Sequence, residues 1–262
     1  MNFSKIESIF KMNGLDYQFV GLEYVDSTSA YLKRQAKKKL QPIFCIASFQ
    51  SDGYGQRKRQ WFSNENSLTF SLLCHFSAPI NALEGLSQII GLKLIESLEE
   101  FFNDKLFIKW PNDLYSDSGK VAGLLIECVA FEKDSCWLVI GVGINRSSMD
   151  LSNEAVKVAG YPISYLKKPD GKNDIGFLPS FVAKVSQLSH SFVAGYFENY
   201  FEMYQKYDYF DLDQRVIVYD TEQSISGCYK GLSQHGELLF EFEGSIVTYR
   251  SGEISIRTMN DI

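Results

Sequence analysis

With 262 residues, 45% of them hydrophobic and 22% charged, the chain has the balance of a globular protein with one large or two modest domains. A net charge of −6 excludes a general nucleic-acid binder, which needs a strong basic face. No apolar run approaches the length of a membrane span, and the mixed polar and apolar N-terminus lacks the centre of a signal peptide.

Residues 4–13 pattern as a short helix, with Ile6, Ile9 and Phe10 on one side and Gly14 as its stop. Residues 19–25 read as a strand. Asp26, Ser27, Thr28 and Ser29 then precede a lysine-rich helix over 30–39. Such side chains cap a helix; at its positive end they equally suit a small polar ligand. The apolar run 42–49 predicts a buried strand. It opens into a loop, residues 50–61, in which Gly53 and Gly55 let the backbone turn and come close to a ligand. Arg57, Lys58 and Arg59 follow directly. A cationic glycine loop in an acidic chain is either a solvated turn or a cradle for phosphate or carboxylate oxygens.

Residues 67–75 predict another strand. Residues 81–102 predict one long helix with Leu83, Leu86, Ile89, Ile90, Leu94, Ile95 and Leu98 facing the core. A short strand over 106–110 ends at Pro111, which forces the preceding residue extended. Lys109 is thereby fixed before the corner, and Asn112 and Asp113 after it. These last two are plain turn chemistry or a polar pair aimed into a cleft. Residues 120–129, with Lys120 at the mouth, and 136–145 predict an antiparallel pair. Gly141 and Gly143 inside the second strand mark close approach of a ligand or another backbone. Residues 147–174 read as a long polar loop or short helices over the site, and 178–207 as a long helical region. Five short strands over 215–219, 224–229, 237–242, 245–249 and 253–258 predict a small barrel with its own core, beyond a boundary near Leu212. Cys45, Cys74, Cys128, Cys136 and Cys228 lack paired spacing and read as reduced thiols of a cytoplasmic protein. His75, His190 and His235 are too scattered to suggest a metal site.

Several of these stretches form an ordered set: Asp26-Ser27-Thr28, then Gln50-x-x-Gly53-x-Gly55-x-x-x-Arg59-x-Trp61, then Lys109-Trp110-Pro111-Asn112-Asp113, then Lys120-x-x-Gly123-x-Leu125, then Gly141-x-Gly143-x-Asn145, and last Ser251-Gly252-Glu253-Ile254-Ser255. The set resembles that of the biotin–protein ligases, the biotin–[acetyl-CoA-carboxylase] ligases, over nearly the whole chain from Leu22 onward. The resemblance implies an α/β (α+β) fold: a class II synthetase-like mixed-sheet catalytic domain over 1–211 and a small SH3-like β-barrel over 212–262. It also implies two half-reactions. Biotin and ATP, with Mg2+, give biotinyl-5′-AMP and pyrophosphate. A lysine of the biotin carboxyl carrier protein of acetyl-CoA carboxylase then attacks the adenylate.

By the same resemblance, Ser27, Thr28, Ser29 and Gln50 bind the biotin ring, and Gly53, Tyr54, Gly55 and Gln56 wrap its carboxylate and the adenylate. Gly123, Leu125 and Gly141 line the biotin pocket. Lys120 is the cation nearest the carboxylate and α-phosphate, whose mutual repulsion must be neutralised. Asp113, which orients Lys120 or helps receive the acceptor proton, and Arg59 complete the catalytic set. Arg57, Arg59, Trp61, Lys109, Asn112 and Asn145 fall to ATP and the adenylate, and Tyr161 and Tyr165 to stacking on adenine. No protein-held metal is expected.

This chain departs from the family pattern in two ways. The usual Gly-Arg-Gly-Arg is here Gly53-Tyr54-Gly55-Gln56, so Arg57 and Arg59 are expected to supply lost charge and Tyr54 to pack over biotin. Too little chain precedes Ser27 for the winged helix-turn-helix of bifunctional members, so a monofunctional enzyme without DNA binding is expected, as monomer or homodimer. The alternatives are a lipoate–protein ligase-like enzyme and a biotin-binding module without catalysis.

Overall fold

The computed structural model describes residues 1–64, 66–146, 161–167, 175–219, 224–252 and 254–258. Most of the region expected as a long loop, 147–160 and 168–174, lies outside the described residues, as does Glu253.

The chain begins with α1 (Phe3–Met12), β1 (Gln18–Val25), α2 (Thr28–Ala36) and β2 (Ile43–Gln50), then β3 (Ser67–Phe76) and α3 (Leu86–Leu98). Four strands follow: β4 (Phe107–Lys109), β5 (Asp113–Ser116), β6 (Gly119–Phe131) and β7 (Cys136–Asn145). After α4 (Leu178–Ser191) and α5 (Phe201–Tyr207) come β8 (Arg215–Tyr219), β9 (Ser224–Leu232), β10 (Leu238–Phe242), β11 (Ser245–Tyr249) and β12 (Ser255–Thr258). The first seven strands form a mixed sheet in the order β1-β2-β3-β7-β6-β5-β4. Its β1–β2 pair is parallel. The last five form a separate antiparallel sheet, β11-β10-β9-β8-β12.

Strand alternation decides what each face of the large sheet does. Leu68, Phe70 and Leu72 on β3, with Leu138, Ile140, Val142 and Ile144 on β7, join the main core with α3 and α4. An aromatic path crosses this layer from α1 to α4. Phe10 meets Phe44 at 4.5 Å, Phe44 meets Phe70 at 5.5 Å, and Phe70 meets Phe181 at 5.9 Å. Each such pair adds about 1 kcal/mol beyond its buried area. On the opposite face, Leu32 of α2 packs with Ile43, Cys45, Leu73 and Val139. Beyond that patch the face turns polar, and the site lies there.

Three expectations need correction. The helix foreseen over 81–102 begins only at Leu86, because Gly85 sits at φ +74° with Phe197 packed where a Cβ would stand. The single helical region over 178–207 is two helices, broken after Ser191, with Gly195 at φ +74° before a 3-10 turn. The small C-terminal five-stranded unit is present as expected, but it has no core of its own: buried Val216, Tyr229, Phe240 and Ile256 continue the main core. Trp110 bridges the two, its indole N–H donating to Gly236 O at 3.0 Å. Sequence reading also missed β5, of which it assigns only Asp113, as turn chemistry. Among the described residues no helix is long and apolar enough to cross a membrane.

Candidate active site

Register gathers the motifs. Across the sheet, Thr69 pairs with Gly143, Gly143 with Gly123, Gly123 with Asp113, and Asp113 with Lys109. One step along, Ser71 pairs with Gly141 and Gly141 with Leu125. Motifs scattered through the chain thus become two adjacent rows on one sheet face. The N-terminus of α2, the 50–61 loop and β12 close a pocket over these rows.

The pocket floor is a buried polar network. Ser27 caps α2, its hydroxyl accepting from Ala30 N at 3.4 Å. The Thr28 N–H and hydroxyl donate to Gln50 Oε1 at 2.7 and 3.0 Å. The Thr28 hydroxyl also meets Ser71 Oγ at 2.7 Å, and Ser29 Oγ meets the same oxygen at 3.0 Å. Asp26 braces this corner from outside through a paired contact with Arg34 at 2.6 and 2.8 Å. The Arg34 guanidinium holds the Asp26 carboxyl below its ordinary value. Gly141 is needed here because a Cβ would stand 2.5 Å from Ser29 Oγ.

The 50–61 loop is a small hairpin. Gly55 N–H donates to Arg59 O and Trp61 N–H to Gly53 O, both at 2.8 Å. Arg57 and Lys58 take left-handed backbone angles at its tip. The Trp61 ring lies on Gly143, where a Cβ would come within 2.4 Å of it. Trp61 Nε1 and Thr69 Oγ1 are buried, belong to pocket-lining residues and have no hydrogen-bond partner in the protein. Leaving such groups unpaired costs about 1–3 kcal/mol each, which fits a cavity that takes a ligand with polar edges.

Lys120 stands at the other wall, 9% exposed, with Nζ 2.7 Å from Asp113 Oδ1. Its ammonium lies 5.6 Å from the Trp61 ring centroid and 5.1 Å from that of Tyr161. Burial disfavours the charged form, but Asp113 and Tyr161 outweigh it and raise the Lys120 pKa above the ordinary lysine value. The result is a fixed cation in a partly dry pocket, where charge acts strongly on an anionic substrate. Gly123 leaves room for it, since a Cβ would press within 3.3 Å of both Asp113 Oδ1 and Lys120 Nζ. Lys109, 5% exposed, is a second cation, its Nζ 4.6 Å from the Tyr115 ring centroid and 5.1 Å from that of Tyr209.

Of the residues singled out from the sequence, Ser27, Thr28, Ser29, Gln50, Tyr54, Gly55 and Gln56 line the pocket. So do Arg57, Arg59, Trp61, Lys109, Asn112, Asp113, Lys120, Gly123, Leu125, Gly141 and Tyr161. Gly53 does not; a Cβ there would meet Trp61 O at 2.7 Å, so this glycine serves loop closure. Asn145 lies outside too, its amide donating to Ser164 O at 3.0 Å and Lys120 O at 3.3 Å and so holding 161–167 beside β6. Tyr165 is also outside this pocket, 40% exposed. Asn112 lines the pocket with its amide nitrogen spent on Leu124 O. Arg57 reaches the other sheet, donating to Gly252 O at 3.3 and 3.1 Å. Sequence reading missed Ser71, Thr69, Tyr115 and Arg257 of β12, and quoted Ser255 in a motif without giving it a place in the site. The alternation of Ser67, Thr69 and Ser71 with apolar residues was the one signal for the first two.

Residues 21–145, which carry nearly all of this pocket, match the model of the biotin/lipoate A/B protein ligase family. The bifunctional ligase/repressor BirA of Escherichia coli is 29% identical over 238 residues, covering 90% of this chain and 73% of that protein. The biotin–[acetyl-CoA-carboxylase] ligase of Paracoccus denitrificans is 29% identical over 145 residues, 55% of this chain and 60% of that one. The structure of the biotin protein ligase from Aquifex aeolicus in complex with biotin and ATP superposes with a TM-score of 0.69 at 26% identity, covering 92% of this chain and 99% of that one. Motifs, sheet order and all three comparisons agree that residues 21–145 match the domain of the biotin/lipoate A/B protein ligase family.

Proposed function

We propose that the chain is an ATP-dependent biotin–protein ligase. It forms biotinyl-5′-AMP from biotin and ATP, releasing pyrophosphate, and then passes the biotinyl group to a lysine of a biotin carboxyl carrier protein. The observation that carries this reading is the buried Lys120–Asp113 pair at the wall of a pocket floored by Thr28, Gln50 and Ser71. The floor offers donors and acceptors to a ureido-type ring, and Gly123 leaves room for the Lys120–Asp113 pair and Gly141 for Ser29. In the first step a carboxylate oxygen attacks the α-phosphorus and pyrophosphate leaves. Lys120 offsets the repulsion between the two anions and stabilises charge in the transition state. Asp113 keeps that ammonium charged and aimed. In the second step the acceptor amine attacks the acyl carbon, AMP leaves, and the amine gives up a proton. Trp61 and the hairpin shield the mixed anhydride from water.

Mg2+ enters as the Mg–ATP complex, held chiefly through the nucleotide phosphates. We assign catalysis to 1–211 and read 212–262 as the SH3-like domain, which lends β12 to the pocket. The acceptor is the carrier domain of acetyl-CoA carboxylase, a reading supported by the name of the Paracoccus relative. Five free cysteines support a cytoplasmic location, and the acidic balance supports the absence of a DNA partner. Biotin-dependent exchange of labelled pyrophosphate into ATP tests the reading. Exchange with biotin and not lipoate is expected. Exchange with lipoate alone makes the enzyme a lipoate ligase, and binding of biotin without exchange makes it a binding module.

A further inference from the structure

We propose that Tyr54 is a positioning residue: its hydroxyl, held between Glu127 and Lys33, fixes the 53–61 hairpin as the wall of the pocket before the nucleotide arrives. The inference rests on the biotin-ligase reading for its substrate, while the clamp itself rests on geometry alone. The hairpin is weakly self-supporting. Its tip residues Arg57 and Lys58 both lie at positive φ, 56° and 57°, where side-chain-bearing residues are uncommon. Backbone bonds from Trp61 N–H to Gly53 O, Gly55 N–H to Arg59 O and Arg59 N–H to Gln56 O close it, and at its tip Arg57 donates to Gly252 O of the other sheet. Its place is therefore set from outside, by Arg57 at the tip and by Tyr54 near the base, on the side of the pocket floor.

The Tyr54 hydroxyl donates to Glu127 Oε2 at 2.9 Å. Lys33 Nζ donates to Glu127 Oε1 at 2.8 Å and to the Tyr54 hydroxyl at 3.4 Å, lying 5.7 Å from the ring centroid. The acceptor is a carboxylate, so the phenol bond is charge-assisted. The anchors stand where the tether matters. Lys33 is on α2, one turn beyond the pocket hydroxyls of Thr28 and Ser29. Glu127 shares a face of β6 with Gly123 and Leu125 at two-residue steps. One hydroxyl thus ties the hairpin to α2, which carries Thr28 and Ser29 of the floor, and to β6, which carries Lys120 of the other wall. The mechanism above uses neither Lys33 nor Glu127.

Limited trypsin digestion reads the clamp without reference to activity. Arg57, Lys58 and Arg59 are exposed on the hairpin, and the exposed Lys37, Lys38 and Lys39 just beyond the C-terminal end of α2 give an internal standard. In Tyr54→Phe, cleavage at the hairpin relative to the standard rises about tenfold, the scale of one lost hydrogen bond to a charged group. Glu127→Ala gives a similar rise, and the double variant cleaves no faster than Glu127→Ala alone. In pyrophosphate exchange, Tyr54→Phe raises KM for biotin by about the same factor and lowers kcat less. Unchanged hairpin cleavage, additive effects in the double variant, or a loss confined to kcat would overturn the proposal. Should the wild-type protein fail to exchange pyrophosphate, the substrate reading falls while the digestion still decides the clamp.

Discussion

Replacing Asp113 with asparagine isolates the part of the site that holds charge in place. Asp113 is the carboxylate 2.7 Å from Lys120 Nζ, and the two side chains are 24% and 11% exposed. Breaking a buried pair from one side costs about 3–5 kcal/mol, because the partner charge is left without compensation. The Asp113 opening to solvent puts this pair at the low end, about 3 kcal/mol, or roughly a hundredfold in rate if the loss falls on the transition state. The pH profile carries more information than the size of the loss. In the wild-type protein Asp113 and Tyr161 raise the Lys120 pKa, so the ammonium keeps its charge well into alkaline conditions. The stability it contributes is complete below the unfolded-state pKa and is lost only as pH rises through the higher folded-state value. Burial is already the largest single influence; without the carboxylate only Tyr161 opposes it, and the Lys120 pKa moves down. Biotin-dependent pyrophosphate exchange in Asp113→Asn should therefore fall as pH rises from neutral to moderately alkaline, while the wild-type rate holds. Parallel profiles, with Asp113→Asn merely slower throughout, would refute the idea that Asp113 keeps Lys120 charged.

Three further outcomes follow from the same geometry. Ser71→Ala removes the shared partner of Thr28 and Ser29, so KM for biotin should rise about tenfold with a smaller fall in kcat; a pure kcat effect in steady-state kinetics would contradict this. Gly143→Ala places a methyl 2.4 Å from the Trp61 ring, so it should cost about 1–3 kcal/mol in urea unfolding and quench or shift Trp61 fluorescence. Asp208, buried beside Tyr229 with a hydroxyl contact of 2.5 Å, has its pKa pushed up to about 7 by burial. The folded state then holds a proton that the unfolded chain releases, so unfolding free energy should decline as pH rises from the ordinary carboxylate range to about 7 and level off above it. Asp208→Asn should remove that decline, which denaturant midpoints across the range will reveal.

Much of this architecture was legible because strand alternation and glycine placement are local signals. The strands over 136–145 and 215–219 coincide with their sequence-based bounds. What stayed hidden depends on contacts between distant residues. The four residues of β5 lie between proline and glycine turns, and only pairing with β4 and β6 makes them a strand. Gly85 lies inside the pattern read as one helix over 81–102, and only the fold sets Phe197 in the place of its side chain. Ser71 reads as an ordinary strand residue, and register alone sets it beneath Thr28 and Ser29. The glycines were noticed but not explained by sequence: Gly141 makes room for Ser29 and Gly143 for Trp61. The loop arginines show the opposite limit. Composition marks them as an anion site, whereas Arg57 bonds Gly252 O of the other sheet and also lines the pocket.

Transfer is the step on which the account turns. The decisive measurement is the mass of an apo biotin carboxyl carrier domain after incubation with this protein, biotin and Mg–ATP, alongside lipoate in place of biotin and an unrelated lysine-rich protein. The account predicts a gain of one biotinyl group on a single carrier lysine, none with lipoate and none on the bystander. No gain on the carrier, with biotin still bound by the protein, would contradict it.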